Sequence, residues 1–217
     1  DPGSELCGDG DPITRPLRDW IDPMISESNN QSTCAMLKLL HDQPGRAAGQ
    51  DGVDVLNQDL AALGLQTLQV NGTDPATGGT WNPGQIDMGA LDTARFFYLV
   101  SGAPGQLWRA PSGRRVTAGE LSPASRAFFQ GVLRDQGFRE LLSTTNYCGL
   151  DYPAPGIPAR VADRWIQPDG TVVVDGIPYP SDVRPCNDAA TVDFLDKTGL
   201  TYNYGSDAGI VHNLPGK

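Results

Sequence analysis

Apolar residues recur at helical spacing in the first two thirds of the chain. In one such segment Val53, Leu56, Leu60 and Leu63 follow one another at i, i+3, i+7 and i+10, and Gly64 marks the end. Ser122 as N-cap and Pro123 at the first helical position mark the start of another. The pattern predicts four helices, at residues 31–42, about 52–64, about 90–101 and 123–137.

Strand patterns appear only in the last third. The segment TVVVDG at 171–176 is a short strand candidate within an otherwise irregular 143–190. Residues 192–202 and 207–213 read as two strands joined by a turn at 203–207. The first 20 residues and the segment 70–89 are rich in turn-forming residues and are expected to be loops. The chain therefore predicts a mixed α and β fold.

Composition narrows the classes of partner. The chain has 217 residues, of which 39% are hydrophobic, so it is long enough to bury a core of its own. Its net charge of −10 and its three lysines disfavour nucleic acid, whose phosphates are bound mainly by Lys and Arg. No apolar run approaches the roughly 18 residues of a membrane span. We expect a single domain over 1–217, with a helical lobe at about 20–140 and a strand-bearing part at about 141–217.

The four cysteines favour disulfides over a metal site. They show no C-x-x-C spacing, and neither histidine, His41 or His212, is near a cysteine in sequence. Two disulfides in an exported protein are therefore expected, and buried free thiols are the alternative. Sequence does not determine the pairing. Our working hypothesis joins Cys148 to Cys186 and Cys7 to Cys34.

The tripeptide Lys197-Thr198-Gly199 is the first candidate for chemistry. An apolar strand precedes it, a turn follows it, and the return strand contains GIV. A strand lysine facing a cleft supplies a cation, the threonine a hydroxyl, and the glycine room for a substrate backbone. The alternative interpretation is a solvated lysine on a strand face that also carries Asp193 and Leu195.

Ser28-Asn29-Asn30 is the second candidate. Ser28 and Asn30 offer a hydroxyl and an amide two residues apart, directly before an apolar helix. Such groups can pass a proton to a leaving group and hold a substrate amide. The alternative interpretation is ordinary helix capping, since Ser and Asn are preferred N-caps.

Together these motifs resemble those of the penicillin-recognising serine hydrolases, the superfamily of β-lactamases and D,D-peptidases. The family has S-x-N followed by K-T-G on a sheet edge, and the stretches MISESNNQSTCAMLKLL and DFLDKTGLTYNYGSDAGIVHNLPG are similar to both. MGALDTARFFYLVSG and LSPASRAFFQGVL also resemble family helices. The similarity covers about residues 17–217 and is weak at 42–90 and 140–190.

The resemblance implies a fold and a reaction. The fold is a β-lactamase/transpeptidase-like α+β domain, with an antiparallel sheet flanked by helices and a helical lobe. The reaction is acyl transfer from an amide or ester, without a cofactor or metal. Ser28 and Lys197 are then catalytic, Ser28 relaying a proton and Lys197 setting the electrostatics. Asn30, Thr198 and Gly199 bind the substrate, a β-lactam or a D-Ala-D-Ala-like peptide.

Two departures from the family pattern limit this interpretation. The family nucleophile is the serine of S-x-x-K, but the positions three residues before the lysines hold Ala35, Phe194 and Leu214. The nucleophile is therefore not present in these 217 residues, and we expect a fragment that is incomplete at both ends. In addition, no Glu lies between Glu27 and Glu120 to activate a deacylating water. The aspartates that can stand in for it are Asp74, Asp87 and Asp92.

Alternatives to an active enzyme stay open. The chain can be a non-catalytic module that binds β-lactams or peptidoglycan after losing its nucleophile, or a fragment that needs its missing piece to function. A second fragment carrying the nucleophile is then a candidate partner. By resemblance the expected location is secreted or cell envelope, that is, periplasmic or extracellular.

Overall fold

The computed structural model describes residues 13–71, 86–137, 156–174, 176–179, 182–200 and 205–216. Within these ranges the protein has six α-helices, two short 3₁₀ helices and eight strands. The strands form four antiparallel pairs. The predicted mixed α and β class is therefore confirmed.

The chain divides into two compact units. The first contains the described residues of 1–24 and 29–122, and the second contains those of 25–28 and 123–217. The short segment 25–28, which includes Ser28, thus belongs with the strand-bearing end of the chain. The predicted boundary near residue 140 between a helical lobe and a strand-bearing part stays a prediction.

Four helices begin in the first unit, and sequence signals fix most of their ends. They are α1 Arg18–Ser26, α2 Asn30–His41, α3 Gly52–Leu63 and α4 Ala90–Ser101. Asp51 caps α3 by accepting hydrogen bonds from the N–H groups of Val53 and Asp54, both at 2.9 Å. Gly64 and Gly102 end α3 and α4 in the left-handed conformation, which glycine adopts without steric cost. These ends match the prediction.

Short strands complete the first unit and surround its core. They are β1 Leu68–Val70 paired with β2 Ile86–Met88, and β3 Gln106–Arg109 paired with β4 Arg115–Thr117. The core cluster contains Leu65, Leu99, Trp108, Ala110 and Val116, all buried. The indole N–H of Trp108 donates a hydrogen bond to the carbonyl of Leu63 at 2.7 Å, so the polar end of this buried ring is satisfied.

The second unit contains the longest strands. Its elements are α5 Pro123–Arg134, β5 Val172–Val174, β6 Ile177–Tyr179, α6 Arg184–Ala189, β7 Val192–Leu200 and β8 Gly205–Asn213. β7 and β8 pair over nine residues, with Lys197 opposite Ala208 and Thr198 opposite Asp207. α5 packs against β7. Phe194 and Leu195, at 1% and 0% exposure, make the centre of β7 a core strand.

Some elements differ from the sequence predictions. Residues 18–20 belong to α1 although the Pro- and Gly-rich start predicts a loop, because Pro16 precedes the helix and its carbonyl accepts the N–H of Asp19. β2 lies inside the predicted 70–89 loop, and α6 inside the irregular 143–190, because such short elements leave no periodicity. α5 ends at Arg134 rather than at 137.

The predicted hairpin is present. β7 is described as far as Leu200, and its predicted end at 202 lies outside the described residues, whereas β8 begins at Gly205 rather than 207. The predicted turn at 203–207 thus overlaps β8 at 205–207. Residues 201–204 lie outside the described residues, as does most of the 70–89 segment.

No helix in the described ranges is both long and apolar enough to cross a membrane. Cys34 and Cys186 are both disulfide-bonded. Cys7 and Cys148, which the predicted pairing assigns to them, lie outside the described residues. The pairing stays a prediction.

Candidate active site

Ser28 has an unusual backbone conformation. It lies in the short link between α1 and α2, and its φ of +56° is the only positive φ of a non-glycine residue in the described part of the chain. The left-handed region costs roughly 1–2 kcal/mol for a residue with a Cβ atom. Backbone strain of this kind persists only where the surrounding structure enforces it, and it is concentrated at functional sites.

The capping role belongs to Asn29. Its side-chain oxygen accepts a hydrogen bond from the N–H of Ser32 at 2.8 Å, which satisfies one of the free donors at the start of α2. Asn30 is the first residue of that helix. The helix cap therefore does not use the Ser28 hydroxyl.

Lys197 contacts Ser28. Its ammonium donates hydrogen bonds to the Ser28 hydroxyl and to the carbonyl of Thr198, the latter at 2.6 Å. The two side chains are separated by 169 positions in sequence, and both belong to the second unit. The structure thus joins two residues that the motifs singled out independently. We call them the Ser28–Lys197 pair.

The environment of Lys197 differs from that of a solvated lysine. Burial lowers the pKa of its ammonium to about 8, although the nearby carboxylates of Asp196 and Asp207 act to raise it. Burial disfavours the charged form because the surroundings hydrate it less well than water does. At neutral pH Lys197 is thus mostly a cation, with a proton that is easier to remove than that of an ordinary lysine.

Thr198 and Gly199 continue the strand beyond this lysine. Thr198 is 9% exposed and lies directly opposite Asp207, so the two side chains share one face of the β7–β8 pair. Gly199 lies opposite Ser206, and among the described residues a Cβ atom added at Gly199 would approach the Ser206 hydroxyl, at 2.8 Å. That hydroxyl can rotate away from such a Cβ atom.

Two residues that the sequence interpretation missed hold the backbone around the pair. The side-chain amide of Gln136 donates to the carbonyl of Asp196 at 3.3 Å, and the N–H of Gly137 donates to the carbonyl of Ser26 at 2.8 Å. Both residues directly follow Asp135, the first residue after the end of α5 at Arg134, and the Gln136 N–H still donates to the carbonyl of Leu133 at 3.4 Å. A glycine at 137 is a recognisable signal for the end of a helix, but no sequence pattern marks Gln136.

The aspartates considered as replacements for a deacylating Glu differ in their hydrogen-bond partners. The carboxylate of Asp92 accepts hydrogen bonds from the N–H and hydroxyl of Thr67, at 2.9 and 2.8 Å, and pairs with Arg95 at 2.9 Å. Burial works to raise the pKa of Asp92, but these bonds hold it below its usual value. Asp87 lies on exposed β2 and accepts a bond from the Asn71 amide at 3.1 Å. Asp74 lies outside the described residues.

Other chemistry finds little support in the described ranges. They contain no cluster of three His, Cys, Asp or Glu side chains that could hold a metal ion. His212 lies on the exposed end of β8. No family model, curated protein or solved structure matches this chain. The family resemblance therefore depends on the sequence motifs, and the geometry of the Ser28–Lys197 pair stands beside it.

Proposed function

We propose that this protein is a penicillin-recognising serine hydrolase that acts on amide or ester bonds through an acyl-enzyme. The observation that carries the proposal is the hydrogen bond from Lys197 to Ser28. The resemblance pairs these two residues, and nothing in the sequence distance between them requires that they meet. The β-lactamase-like form of the α+β fold is part of the same proposal.

The chemistry follows from the roles that the resemblance gives these groups. A serine supplied by a segment outside the 217 residues attacks the substrate carbonyl, forming an ester bond as the carbon–nitrogen bond breaks. The hydroxyl proton of that serine passes through Ser28 to the leaving nitrogen. Lys197, held against Ser28, stabilises the negative charge that develops during this transfer. Water later releases the acyl group.

Substrate binding falls to the neighbouring groups. In this proposal Thr198 binds a carboxylate of the substrate, Gly199 lets the substrate backbone approach the strand, and Asn30 orients an amide. These roles suit a β-lactam or a D-Ala-D-Ala-like peptide. A cell-envelope or secreted location is proposed with them, because that is where such peptides occur.

The carboxylates favour slow release of the acyl group. Asp92 is committed to Thr67 and Arg95, and Asp87 bonds to Asn71. Neither is placed like a base that holds a water for attack. A D,D-peptidase, an esterase or a slow β-lactam binder is therefore preferred to a fast β-lactamase.

A non-catalytic binding module is the second candidate, and the absence of S-x-x-K from the 217 residues favours it. Such a module keeps a site for β-lactams or peptidoglycan peptides but forms no covalent bond with them. Covalent labelling distinguishes the two functions directly.

The test is acylation of the full-length encoded protein by a fluorescent penicillin, followed on denaturing gels. We expect covalent label, and a loss of about 10²–10³ in the acylation rate constant for Ser28→Ala and for Lys197→Met, because each removes one preorganised contact. The matched controls are Ser112→Ala and Lys38→Met, exposed positions that should label at the wild-type rate. Folded full-length protein that binds penicillin without covalent label would overturn the enzyme and support the binding module.

A further inference from the structure

The residues directly after α5 contact both backbone segments that carry the Ser28–Lys197 pair. Ser28 follows the buried segment at residues 25 and 26, and Lys197 lies on β7. Gln136 bonds to β7 and Gly137 bonds to the segment before Ser28. The adjacent residues Gln136 and Gly137 therefore bond to the two backbone segments that carry Lys197 and Ser28, which are far apart in sequence.

Gln136 contacts β7 immediately before Lys197. It is fully buried, and a buried amide is retained where its polar atoms find partners. Its NH₂ group donates to the carbonyl of Asp196 at 3.3 Å. Because Asp196 precedes Lys197 directly, this bond acts on the backbone from which the lysine side chain extends.

Gly137 contacts the other support at unusually close range. Its N–H donates to the carbonyl of Ser26, which is fully buried and lies two residues before Ser28. A Cβ atom at position 137 would lie 2.6 Å from Val174 Cγ1 and 3.1 Å from the Ser26 carbonyl oxygen. A glycine is needed here because any side chain would force the 25–28 segment or β5 to move.

We propose that Gln136 is a positioning residue, which together with the Gly137 backbone sets the distance between the Ser26–Ser28 segment and β7 so that Lys197 reaches the Ser28 hydroxyl. This inference deepens the proposed function and rests on it for its catalytic meaning. The competing explanation is that Gln136 only satisfies a buried carbonyl and contributes to stability like any other core residue.

The pKa of Lys197 distinguishes a positioning role of Gln136 from a purely stabilising one. Its charged neighbours are Asp196 on the same strand and Asp207 on β8, and both act against the effect of burial. If the Gln136 bond is lost, the Asp196 carbonyl loses this donor, and we expect β7 to shift at the base of Lys197. The ammonium is then better hydrated, and its pKa rises toward the ordinary 10.5.

The experiment measures the pKa of Lys197 in the full-length protein by NMR of ¹³C-labelled lysine, with Lys197→Arg to assign the signal. The variant is Gln136→Met, which keeps the length of the side chain and removes the donor. The control is Val183→Ala in the same unit, which removes buried apolar volume at a residue 4% exposed. Melting temperatures are recorded for both.

We expect Gln136→Met to raise the pKa of Lys197 by about one pH unit or more and to slow acylation at least tenfold. Val183→Ala should leave both unchanged despite a comparable loss of melting temperature. An unshifted Lys197 pKa in a folded Gln136→Met protein would overturn the proposal. If that variant does not fold, Gln136→Asn, whose amide is one methylene short of the carbonyl, decides by the same readout.

The pKa readout does not depend on catalysis. A shifted Lys197 pKa in a protein that never acylates would support the positioning role and refute the proposed function. Acylation of the wild type together with an unchanged Lys197 pKa in Gln136→Met would support the proposed function and refute the positioning role.

Discussion

Burial of the Lys197 ammonium has two effects, one on the stability of the folded protein and one on the pKa of the group. The folded protein buries its ammonium, which costs stability, and uses that burial to lower the pKa to about 8. Its proton donors are directed at the Ser28 hydroxyl and the Thr198 carbonyl. A lysine kept under such conditions is typical of a functional site, since a solvated lysine on the surface has neither the contact nor the shift.

Stability should therefore depend on pH through Lys197. Its folded pKa lies below the unfolded value of 10.5, so between about pH 8 and 10.5 the unfolded chain binds more protons than the folded one. The contribution of Lys197 to the free energy of unfolding should rise with pH across this window, by at most about 1.4 kcal/mol per pH unit. Below pH 8 both states are protonated and the full cost of burial remains.

The measurement is urea unfolding of the wild type and Lys197→Met at pH 7 and pH 9.5. We expect Lys197→Met to gain relative to the wild type at pH 7, and the gain to shrink at pH 9.5. Lys38→Met, at an exposed lysine paired with Asp42, serves as the control and should show no such trend. A pH-independent difference for Lys197→Met would contradict the buried, shifted lysine.

Among the elements, the long helices follow from local signals and the short strands do not. α3 is predictable because Asp51 and Gly64 mark its ends and apolar residues repeat along one face. β1 and β2 have three residues each, too few for a period, and they form because their neighbours in space offer backbone partners. Gln136 is similar: its role depends on a contact with β7 sixty positions away, which no local pattern encodes.

The same distinction applies to the candidate site. The motifs predicted Ser28 and Lys197 as chemically useful residues, since a hydroxyl and an amine in those contexts are recognisable locally. The left-handed backbone at Ser28 and the lowered pKa of Lys197 could not be predicted, because both are produced by the packing around them.

The β7–β8 pair provides a test at the scale of the element. Gly209 lies opposite Asp196, and a Cβ atom there would lie 2.3 Å from the Leu195 carbonyl oxygen and 2.7 Å from Asp196 Cα. We expect Gly209→Ala to lower the free energy of unfolding by about 1–3 kcal/mol, because backbone must move to admit the methyl group. Urea unfolding measures this loss.

The matched control makes the same change on α5. Gly131 lies within that helix, and a Cβ atom added there meets no atom of the described residues within 4 Å. Gly131→Ala should stabilise the protein by up to about 1 kcal/mol, the difference in helix propensity. Equal changes in the free energy of unfolding for Gly209→Ala and Gly131→Ala would show that β7 and β8 leave room for a methyl group at position 209.

At the scale of the whole molecule, the chain has two compact units and a net charge of −10, and its 217 residues contain no S-x-x-K pattern, which the proposed function requires. The Ser28–Lys197 pair lies in the second unit. Asp92, whose carboxylate bonds to Thr67 and Arg95, lies in the first.

We expect the full-length protein to hydrolyse a chromogenic cephalosporin slowly, well below the enzyme median of about 10 per second. The reason is that Asp92 is bonded to Thr67 and Arg95 and so does not activate a water. Asp92→Asn should lower stability without changing the turnover number. Faster turnover that survives Asp92→Asn would contradict the expected slow release and direct attention to Asp74.

The left-handed backbone at Ser28 has a consequence for evolution. Glycine would occupy that conformation without the steric penalty, so a lineage selected for thermal robustness alone should drift toward glycine at this position. If the hydroxyl acts in the proposed reaction, selection for function opposes that drift, and natural variants should keep the less stable serine.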